Sequence, residues 1–342
     1  MSSQNVQRPI CIVGLGLIGG SLLRDLAARK HPVYGYNHST SGARTAIKEG
    51  YDVTDDLTAV LQRAEQDTAL LVIAVPMHAV SDVLDAICEH APSCGITDVV
   101  SVKSVVYDEI CARNLQTRYV GGHPMAGTTK AGWKNSQKDL FIRSAWAITY
   151  DYAAQKEEAG EKVDQQWIDT FTDVVRMTGM VRAEAVPVRV DNHDAAVARV
   201  SHLPQILAEV LAVVGDHGGI LAQSLTAGPF KDGTRVAGTT PKVVKQMCES
   251  NAAALVGALD ETLALLQEAR DSLDSAEPTI GDLAETGHRA RTRIDARSGA
   301  RKDSVSPIKI SSRPVLRLHP GGHGWVAQLK QTESIGGRIE IF

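Results

Sequence analysis

The sequence lacks the features of a secreted, membrane-bound or disulfide-stabilised protein. Its 342 residues include five cysteines, an odd number with no Cys-x-x-Cys pair, which fits a reducing compartment. The opening stretch MSSQNVQRPI has no long apolar run, so we expect no signal peptide. The longest apolar run, residues 69–76, is far shorter than the ~20 residues of a membrane span. We therefore expect a cytoplasmic protein with no membrane partner.

The chain also lacks an excess of positive charge. It has 36 lysines and arginines against 40 aspartates and glutamates, for a net charge of −4. Domains that bind nucleic acids usually concentrate positive charge on one face, so we expect no nucleic-acid partner. No HExxH motif is present, and the cysteines lack the spacing of a zinc site. We predict no metal centre.

Short β-branched runs alternate with helical patterns through the first half of the chain. This alternation predicts an α/β fold, a Rossmann-like, doubly wound parallel sheet covered by helices on both faces. A later run, residues 146–150, is predicted to be an edge strand. The buried strands are expected near residues 10–14, 32–37, 69–76, 97–102 and 118–124.

The second half is dominated by helical patterns. Residues 190–217 and 241–273 each predict a long helix with Ala and Leu on several faces, which indicates helix–helix packing and a dimer core. Pro204 lies inside the first of these helices and should remove one of its backbone hydrogen bonds. The basic stretch 287–302 is expected to be a linker, followed by a small strand–helix–strand extension.

We therefore predict three parts. Residues 1–186 form a nucleotide-binding Rossmann-like domain, residues 187–276 an all-helical substrate and dimerisation domain, and residues 277–342 a small C-terminal α/β extension of unknown role. The predicted assembly is a homodimer formed through the helical domain.

A glycine turn follows the first predicted strand. In VGLGLIGGSL, residues Gly14, Gly16 and Gly19 have G-x-G-x-x-G spacing between a strand and a helix. The first glycine would permit a tight turn, the second would let the backbone approach a pyrophosphate, and the third would allow close helix packing. We therefore predict a dinucleotide cofactor. Its site should also include Leu15, Leu17 and Ile18 in the turn, and Val75 and Pro76 after the third strand.

The end of the second strand carries no carboxylate. NAD sites usually have Asp or Glu there to bind the ribose hydroxyls, but this chain has Asn37, His38, Ser39 and Thr40, with Arg44 in the next helix. Hydroxyl and guanidinium groups could hold a 2′-phosphate. We predict NADP, with NAD possible; the alternative is that Asn37 binds ribose without discriminating.

A histidine lies between glycines and a proline in VGGHPMAGTTKAGW. His123 should stand just past a strand end, where ligands bind in open α/β sheets. Gly121 and Gly122 could let a flat cofactor ring approach, and Pro124 would stiffen the backbone. His123 could act as a general base for an alcohol that loses hydride. It could equally be a structural histidine, and Ser101 could reach the same space.

Several motifs then occur in a characteristic order: GLGLIGGSL, AVP, SVKS, GGHPMAGT, SHLP and GPFKDGTR. Over about residues 9–273 the chain resembles the prephenate/arogenate dehydrogenase family of tyrosine biosynthesis. The resemblance implies a nucleotide-binding domain, a helical dimerisation domain, and oxidation of a cyclohexadiene C4 hydroxyl by the nicotinamide with loss of carbon dioxide.

The resemblance also implies roles for particular residues. His123 would take the proton of the C4 hydroxyl, Ser101 would be its second partner, and Arg235 would bind a substrate carboxylate. Lys231 of the same motif and His202 of SHLP are assigned to the substrate site. Helix packing is the favoured alternative for His202.

Two positions depart from the pattern of many prephenate-using members. Gln205 follows SHLP where those members have histidine, and Thr129 stands where some have an acid. A neutral amide can accept from the ammonium of arogenate, whereas a histidinium would repel it. We therefore predict arogenate as substrate, with prephenate as the alternative. A non-catalytic NADP sensor and a hydroxy-acid dehydrogenase are further alternatives.

Overall fold

The computed structural model of the chain describes residue 6 and residues 8–127, 131–297 and 313–342. The chain forms two compact units. One, the sheet unit, comprises Met1–Asp194, Thr239–Ser250 and Val315–Phe342; the other, the helical unit, comprises Ala195–Gly238 and Asn251–Pro314. These units divide the chain differently from the predicted boundaries at residues 186 and 276, because a later helix and the C-terminal segment pack with the sheets.

A six-stranded parallel sheet is the centre of the sheet unit, as the alternating pattern predicted. Its strand order is β3-β2-β1-β4-β5-β6, with the order reversing beside β1, where doubly wound sheets bind ligands. The strands are β1 (Ile10–Val13), β2 (Val33–Tyr36), β3 (Val53–Thr54), β4 (Leu70–Ile73), β5 (Gly95–Asp98) and β6 (Tyr119–Val120).

Five helices connect these strands, and local sequence sets where two of them begin. The Ser39 side chain accepts from the Gly42 N–H at the start of α2, and Asp56 accepts from the Ala59 N–H at the start of α3, as expected of N-cap residues. The helices are α1 (Leu17–Ala28), α2 (Thr40–Lys48), α3 (Leu57–Gln66), α4 (Val80–His90) and α5 (Ser104–Ala112).

Both faces of this sheet are covered. Ile10 and Ile12 pack into one apolar cluster, and Cys11 and Val13 pack into another on the opposite face. Successive side chains of a strand point to opposite faces, so the continuous apolar run of β1 reflects burial on both sides.

A second, three-stranded sheet follows in the order β7-β8-β9, with β7 (Gly122–Pro124), β8 (Ala145–Thr149) and β9 (Glu184–Val188). Helices α6 (Asp151–Glu158) and α7 (Gln165–Met180) connect β8 to β9. The prediction that residues 146–150 form an edge strand was wrong, since β8 pairs with β7 on one side and β9 on the other. Trp146 of β8 is fully buried.

Residues 190–297 are helical with short breaks. The predicted helix over 241–273 is two helices that meet at Asn251, and the basic stretch predicted as a linker is helical through Arg297. That stretch is rich in helix-forming residues and has i,i+4 ion pairs such as Arg289–Glu285. The helices are α8 (Val190–Val197), α9 (Leu203–His217), α10 (Gly219–Ser224), α11 (Gly228–Thr234), α12 (Pro241–Ser250), α13 (Ala252–Leu273) and α14 (Gly281–Arg297).

The C-terminal segment forms the predicted strand–helix–strand extension. Strands β10 (Val315–Leu318) and β11 (Arg338–Ile341) pair in parallel, joined by helix α15 (Trp325–Ser334). Trp325 and Leu329 join the apolar cluster that contains Trp167 and Phe171 of α7. The extension is therefore part of the core of the sheet unit.

Within the described residues, one helical stretch, Val190–His217, is long and apolar enough to cross a membrane by length and composition. This is weak evidence for a span, because a core helix of a soluble protein meets the same test. The stretch also contains charged residues, among them Asp194, Arg199 and Glu209.

Candidate active site

A cavity of about 970 Å³ lies at the carboxyl ends of the parallel strands in the sheet unit. Its wall includes most of the predicted cofactor residues together with both predicted catalytic residues: Gly14, Leu15, Gly16, Leu17, Ile18, Asn37, His38, Ser39, Val75, Pro76, Ser101 and His123. The glycine turn and the histidine, far apart in sequence, therefore face the same space.

The three glycines of the turn have the geometry that their spacing predicts. Gly14 has φ +107°, and a Cβ there would lie 2.6 Å from the carbonyl oxygen of Ala74. A Cβ on Gly19 would lie 2.0 Å from the oxygen of Gly14, whereas a Cβ on Gly16 would meet nothing within 4 Å. Gly19 is thus a packing position that does not line the cavity, and Gly16 leaves room for a phosphate beside the start of α1.

The end of β2 contributes polar groups, but not all of those predicted. Asn37, His38 and Ser39 line the cavity, while Thr40 and Arg44 do not. Arg44 is exposed, because α2 begins at Thr40 and the helical turn carries the side chain at position 44 away from the cavity. Their places in the wall are taken by Ser41, Gly42 and Thr45.

Helix α12 supplies a wall of the cavity that sequence reasoning missed. Val243, Gln246, Met247 and Ser250 line it, and the Gln246 side chain lies 2.9 Å from Nδ1 of His78. The helix was predicted only as part of a long dimerisation helix. The sequence indicates that α12 is a separate helix only through Asn251, a residue of low helix propensity at which the predicted long helix is interrupted.

His123 is half-buried in the middle of β7, whose neighbour β8 pairs with it through Ala147. The expectation that Gly121 and Gly122 admit a cofactor ring was wrong. A Cβ on Gly122 would lie 2.6 Å from the Asp98 carbonyl oxygen, and one on Gly121 would lie 2.7 Å from Oγ1 of Thr149. These glycines let β7 pack closely against its neighbours.

Behind His123 lies a chain of hydrogen bonds. Nδ1 of His123 is 2.9 Å from Nε2 of His193, and Nδ1 of His193 is 2.7 Å from Oδ1 of Asp194. His193 and Asp194 are almost completely buried. Asp194 also accepts from the backbone N–H groups of Lys103 and Ser104, each at 2.8 Å. We call His123, His193 and Asp194 the relay.

The charge of Asp194 fixes the direction of these hydrogen bonds. Burial alone would raise its pKa, but hydrogen bonds from His193, Lys103 and Ser104 outweigh burial and hold the pKa at about 2. An ionised Asp194 accepts from Nδ1–H of His193, so Nε2 of a neutral His193 accepts from Nδ1–H of His123. The second ring nitrogen of His123, Nε2, then carries a lone pair and can accept a proton.

Lys103 makes the hydrogen bonds on the backbone next to His123. Its side chain is fully buried, and Nζ donates to the Asp98 carboxylate and, at 2.7 Å, to the Gly122 carbonyl oxygen. Burial lowers the pKa of the Lys103 ammonium, against the opposing effect of Asp98. Asp98 also accepts from the Tyr119 hydroxyl. Lys103 therefore neither faces solvent nor enters the cavity; it anchors the strand that carries His123.

In the helical unit, the predicted substrate residues fall into two groups. Gln205 is buried, and its amide nitrogen donates to Glu209 at 2.9 Å and to the Val236 carbonyl at 2.8 Å. Lys231 and Arg235 are exposed, and neither side chain has a hydrogen bond or ion pair with any residue that the structure describes. Arg235 begins a short 3₁₀ turn after α11.

His202 is 1% exposed, and its Nδ1 lies 3.1 Å from the amide nitrogen of Asn251. It ends a π-helical turn, Ala198–His202, two residues before Pro204. Such turns are local insertions that often occur at functional sites, and this one accommodates the missing N–H of Pro204. Thr129 lies outside the described residues. The described part of the chain contains no group of three or more potential metal ligands.

Comparison with known proteins agrees with this arrangement. Residues 20–180 match the prephenate dehydrogenase nucleotide-binding domain, and residues 189–296 match the prephenate dehydrogenase dimerization domain. A prephenate dehydrogenase of Bacillus subtilis (strain 168) is 30% identical over 281 residues, covering 78% of this chain and 71% of that protein. The chain belongs to the prephenate/arogenate dehydrogenase family.

Solved structures extend this likeness. A Corynebacterium glutamicum ATCC 13032 protein, described as a candidate prephenate dehydrogenase, is 54% identical, with a TM-score of 0.91 over 99% of this chain and 100% of that one. A Synechocystis arogenate dehydrogenase is 26% identical, with a TM-score of 0.68 over 84% of this chain and 99% of that one. The first of these shares the C-terminal extension, since it covers almost the whole chain.

Membership of the prephenate/arogenate dehydrogenase family makes the chain an NAD(P)-dependent dehydrogenase of tyrosine biosynthesis. It decides against the alternatives of a non-catalytic NADP sensor and a hydroxy-acid dehydrogenase. The family resemblance predicted catalytic roles for His123 and Ser101 but predicted no role for His193 or Asp194. Their adjacency in VDNHDAAV, two titratable residues near the start of a helix, was the available signal.

Proposed function

We propose that this chain is an arogenate dehydrogenase that uses NADP and forms L-tyrosine by oxidative decarboxylation. The main support for the catalytic role is the relay. Its hydrogen bonds leave Nε2 of His123, in the wall of the dinucleotide cavity, with a lone pair. Both the base and the cofactor turn belong to the sheet unit.

The cavity fits a nicotinamide dinucleotide. Gly16 leaves open space beside the α1 N-terminus for the pyrophosphate, and none of the described residues in the wall is an aspartate or glutamate. Ser39, Ser41 and Thr45 offer hydroxyls near the start of α2, where the helix dipole favours a phosphate. These features support NADP over NAD, although Arg44 is not among them.

His123 acts as the general base in this proposal. The glycine turn and the hydroxyls at the start of α2 would hold NADP, which would supply the hydride acceptor for C4 of the substrate. Nε2 of His123 accepts the proton of the C4 hydroxyl, and Ser101 is a second hydrogen-bond partner for that hydroxyl. His193 stabilises the resulting imidazolium by accepting a hydrogen bond from its Nδ1–H, and Asp194 in turn accepts from Nδ1–H of His193. Loss of the ring carboxylate as carbon dioxide then yields a phenol.

The substrate residues of the helical unit support arogenate. The two amide hydrogens of Gln205 are engaged by Glu209 and Val236, so its amide oxygen is the group that can accept from a ligand ammonium. The adjacent Glu209 carboxylate adds a negative charge that favours the same cation. Arg235 binds a substrate carboxylate through its planar paired donors, with Lys231, His202 and Thr129 as further substrate contacts.

The helical unit also supports a homodimer. Several of its large apolar side chains are exposed in the single chain, among them Val210, Val214, Ile220, Leu221 and Leu225. Large apolar side chains exposed in such number favour an association site. Five free cysteines fit the reducing conditions of the cytoplasm.

Prephenate is the second candidate substrate, favoured by the name of the Bacillus subtilis relative. One assay separates the possibilities: arogenate or prephenate, each with NADP or NAD, followed at the absorbance of reduced nicotinamide. We expect the highest kcat/KM for arogenate with NADP. A tenfold preference for NAD, or for prephenate, would reject the corresponding part of the proposal.

A further inference from the structure

The C-terminal extension contacts the part of the sheet unit that leads into the relay. Helix α15 packs against β9 and α6, and β11 packs against β9 and α7. Strand β9 ends at Val188, and α8, which carries His193, begins at Val190. The extension therefore lies beside the junction between β9 and α8.

Glu333, in the last turn of α15, makes the hydrogen bonds at this junction. Its Oε1 accepts from the Arg189 N–H at 2.9 Å and from the Asn192 side-chain amide at 2.8 Å, and its Oε2 accepts from the Tyr150 hydroxyl. Asp151 accepts from the next N–H, that of Val190, at 2.9 Å. Carboxylates thus satisfy the first backbone donors of α8, which a helix cannot satisfy internally.

The relay begins one residue beyond Asn192. His193 lies in the first turn of α8, and its backbone N–H donates to the carbonyl oxygen of Arg189 at 2.8 Å. A shift of this turn would move the His193 ring directly, and with it the 2.9 Å contact to Nδ1 of His123. Catalysis is sensitive to such shifts, since a displacement of about 1 Å can cost ~100-fold in rate.

We propose that Glu333 is a positioning residue for the relay, so that the C-terminal extension is part of the catalytic apparatus. This inference rests on the proposed role of His123 as the base. Glu333 does not line the dinucleotide cavity, so its effect is on proton transfer and not on cofactor binding.

The test compares two substitutions of Glu333 with a matched control. Glu333→Ala removes three accepted hydrogen bonds, and we expect kcat to fall by ~10- to 100-fold with the KM for NADP within about twofold of wild type. Glu333→Gln should recover most of kcat, because its amide oxygen can still accept from Arg189 and Asn192 while its NH₂ donates to the Tyr150 oxygen. The control is Glu340→Ala, which removes another carboxylate of the extension, one bonded to Arg317 and Arg338; its kcat should stay at the wild-type value.

Two further readouts separate positioning from general stability. Deuterium exchange of the Arg189 amide should be roughly tenfold faster in Glu333→Ala, with unchanged exchange in β1 and β4. The pH at which kcat is half-maximal should also move by about half a unit or more in this variant, but not in Glu340→Ala. If Glu333→Ala is poorly folded, kcat and the pH profile are compared in Tyr150→Phe, which removes one hydrogen bond to Glu333, and in Glu333→Gln, which keeps all three contacts.

Three outcomes would overturn the inference: full kcat in Glu333→Ala, an equal loss in Glu340→Ala, or a loss of kcat without a change in pH profile. A different result bears on the proposed function itself. If His123→Asn keeps full kcat, the base is misassigned; if His123→Asn is inactive while Glu333→Ala is normal, only the positioning role fails.

Discussion

The sheet unit and the helical unit present their functional groups in opposite ways. In the sheet unit His193, Asp194 and Lys103 are buried and bonded to one another or to backbone groups. In the helical unit Arg235 is exposed, and its guanidinium has no partner among the described residues, while Leu221 and Ile220 are 71% and 86% exposed. One unit has a closed core, and the other leaves both charge and apolar surface uncovered.

This difference indicates a division of tasks. Proton transfer needs fixed geometry, and a buried network of hydrogen bonds provides it. Substrate and subunit binding need surfaces that remain available until the partner arrives. We therefore expect substitutions in the sheet unit to change kcat, and substitutions in the helical unit to change binding and association.

The largest expected effect is on the base of the relay. His123→Asn removes the nitrogen that accepts the substrate proton, and we expect kcat to fall by roughly 10²–10⁴ with a smaller change in cofactor affinity. Single-turnover kinetics and NADP titration measure the two effects. His90→Asn, a substitution of a histidine that does not line the cavity, is the control. Unchanged kcat under conditions where chemistry limits turnover would remove His123 from this role.

The next effect tests the apolar surface of the helical unit. Leu221→Asp would bury a charge twice in a twofold-symmetric interface, so we expect the dimer dissociation constant to rise by ~100-fold or more. Sedimentation across a concentration series measures it. Ile47→Asp introduces the same charge at an exposed apolar residue of the sheet unit (51% exposed) and should leave the dimer intact. Dissociation by both variants, or by neither, contradicts the assignment.

A smaller effect is expected for the exposed guanidinium. Arg235→Gln should weaken substrate binding by about 1.5–3 kcal/mol, the range of a lost charged hydrogen bond, with the KM for NADP unchanged. Inhibition by a substrate-like carboxylate gives the measurement, and Lys231→Gln shows how much a neighbouring charge contributes. Inhibition of undiminished strength would place the substrate carboxylate elsewhere.

The pH dependence of stability tests Asp194. Because its folded pKa of about 2 lies below the unfolded value of ~3.9, its ionised form stabilises the fold above pH ~4. That contribution, about 2 kcal/mol, is lost as the pH falls from ~4 toward 2. Urea unfolding of wild type and Asp194→Asn should therefore differ at pH 7 and converge in acid. A constant difference at all pH values would contradict the prediction, and Asp191→Asn, at an exposed neighbour, is the control.

Sequence patterns predicted those features that local backbone geometry determines. The turn at Gly14 and Gly16 follows from spacing alone, since it needs a left-handed residue and an open backbone position. The parallel sheet follows from the alternation of strands and helices. His123 could be placed in the cavity because a strand end precedes it.

Features that depend on distant contacts could not be predicted in this way. His123 meets His193 across 70 positions, and no pattern near either residue indicates the pairing. Arg44 is absent from the cavity wall because the exact start of α2 at Thr40, which composition does not determine, decides which way its side chain points. Residues 287–297 are helical where a linker was predicted, because helix propensity and i,i+4 ion pairs such as Arg291–Asp295 outweigh the repulsion within a basic segment.

The π-helical turn before Pro204 has a consequence for the direction of the side chains that follow it. A turn with one additional residue sets back the angular position of every later residue by about 100° relative to the same sequence in an uninterrupted α-helix. Gln205 and Ala208, the buried residues of α9, therefore owe their inward orientation to that extra residue. The same sequence without the π-helical turn would point these two side chains more than a quarter of a circle away from their present direction, so this turn decides which residues of α9 face inward.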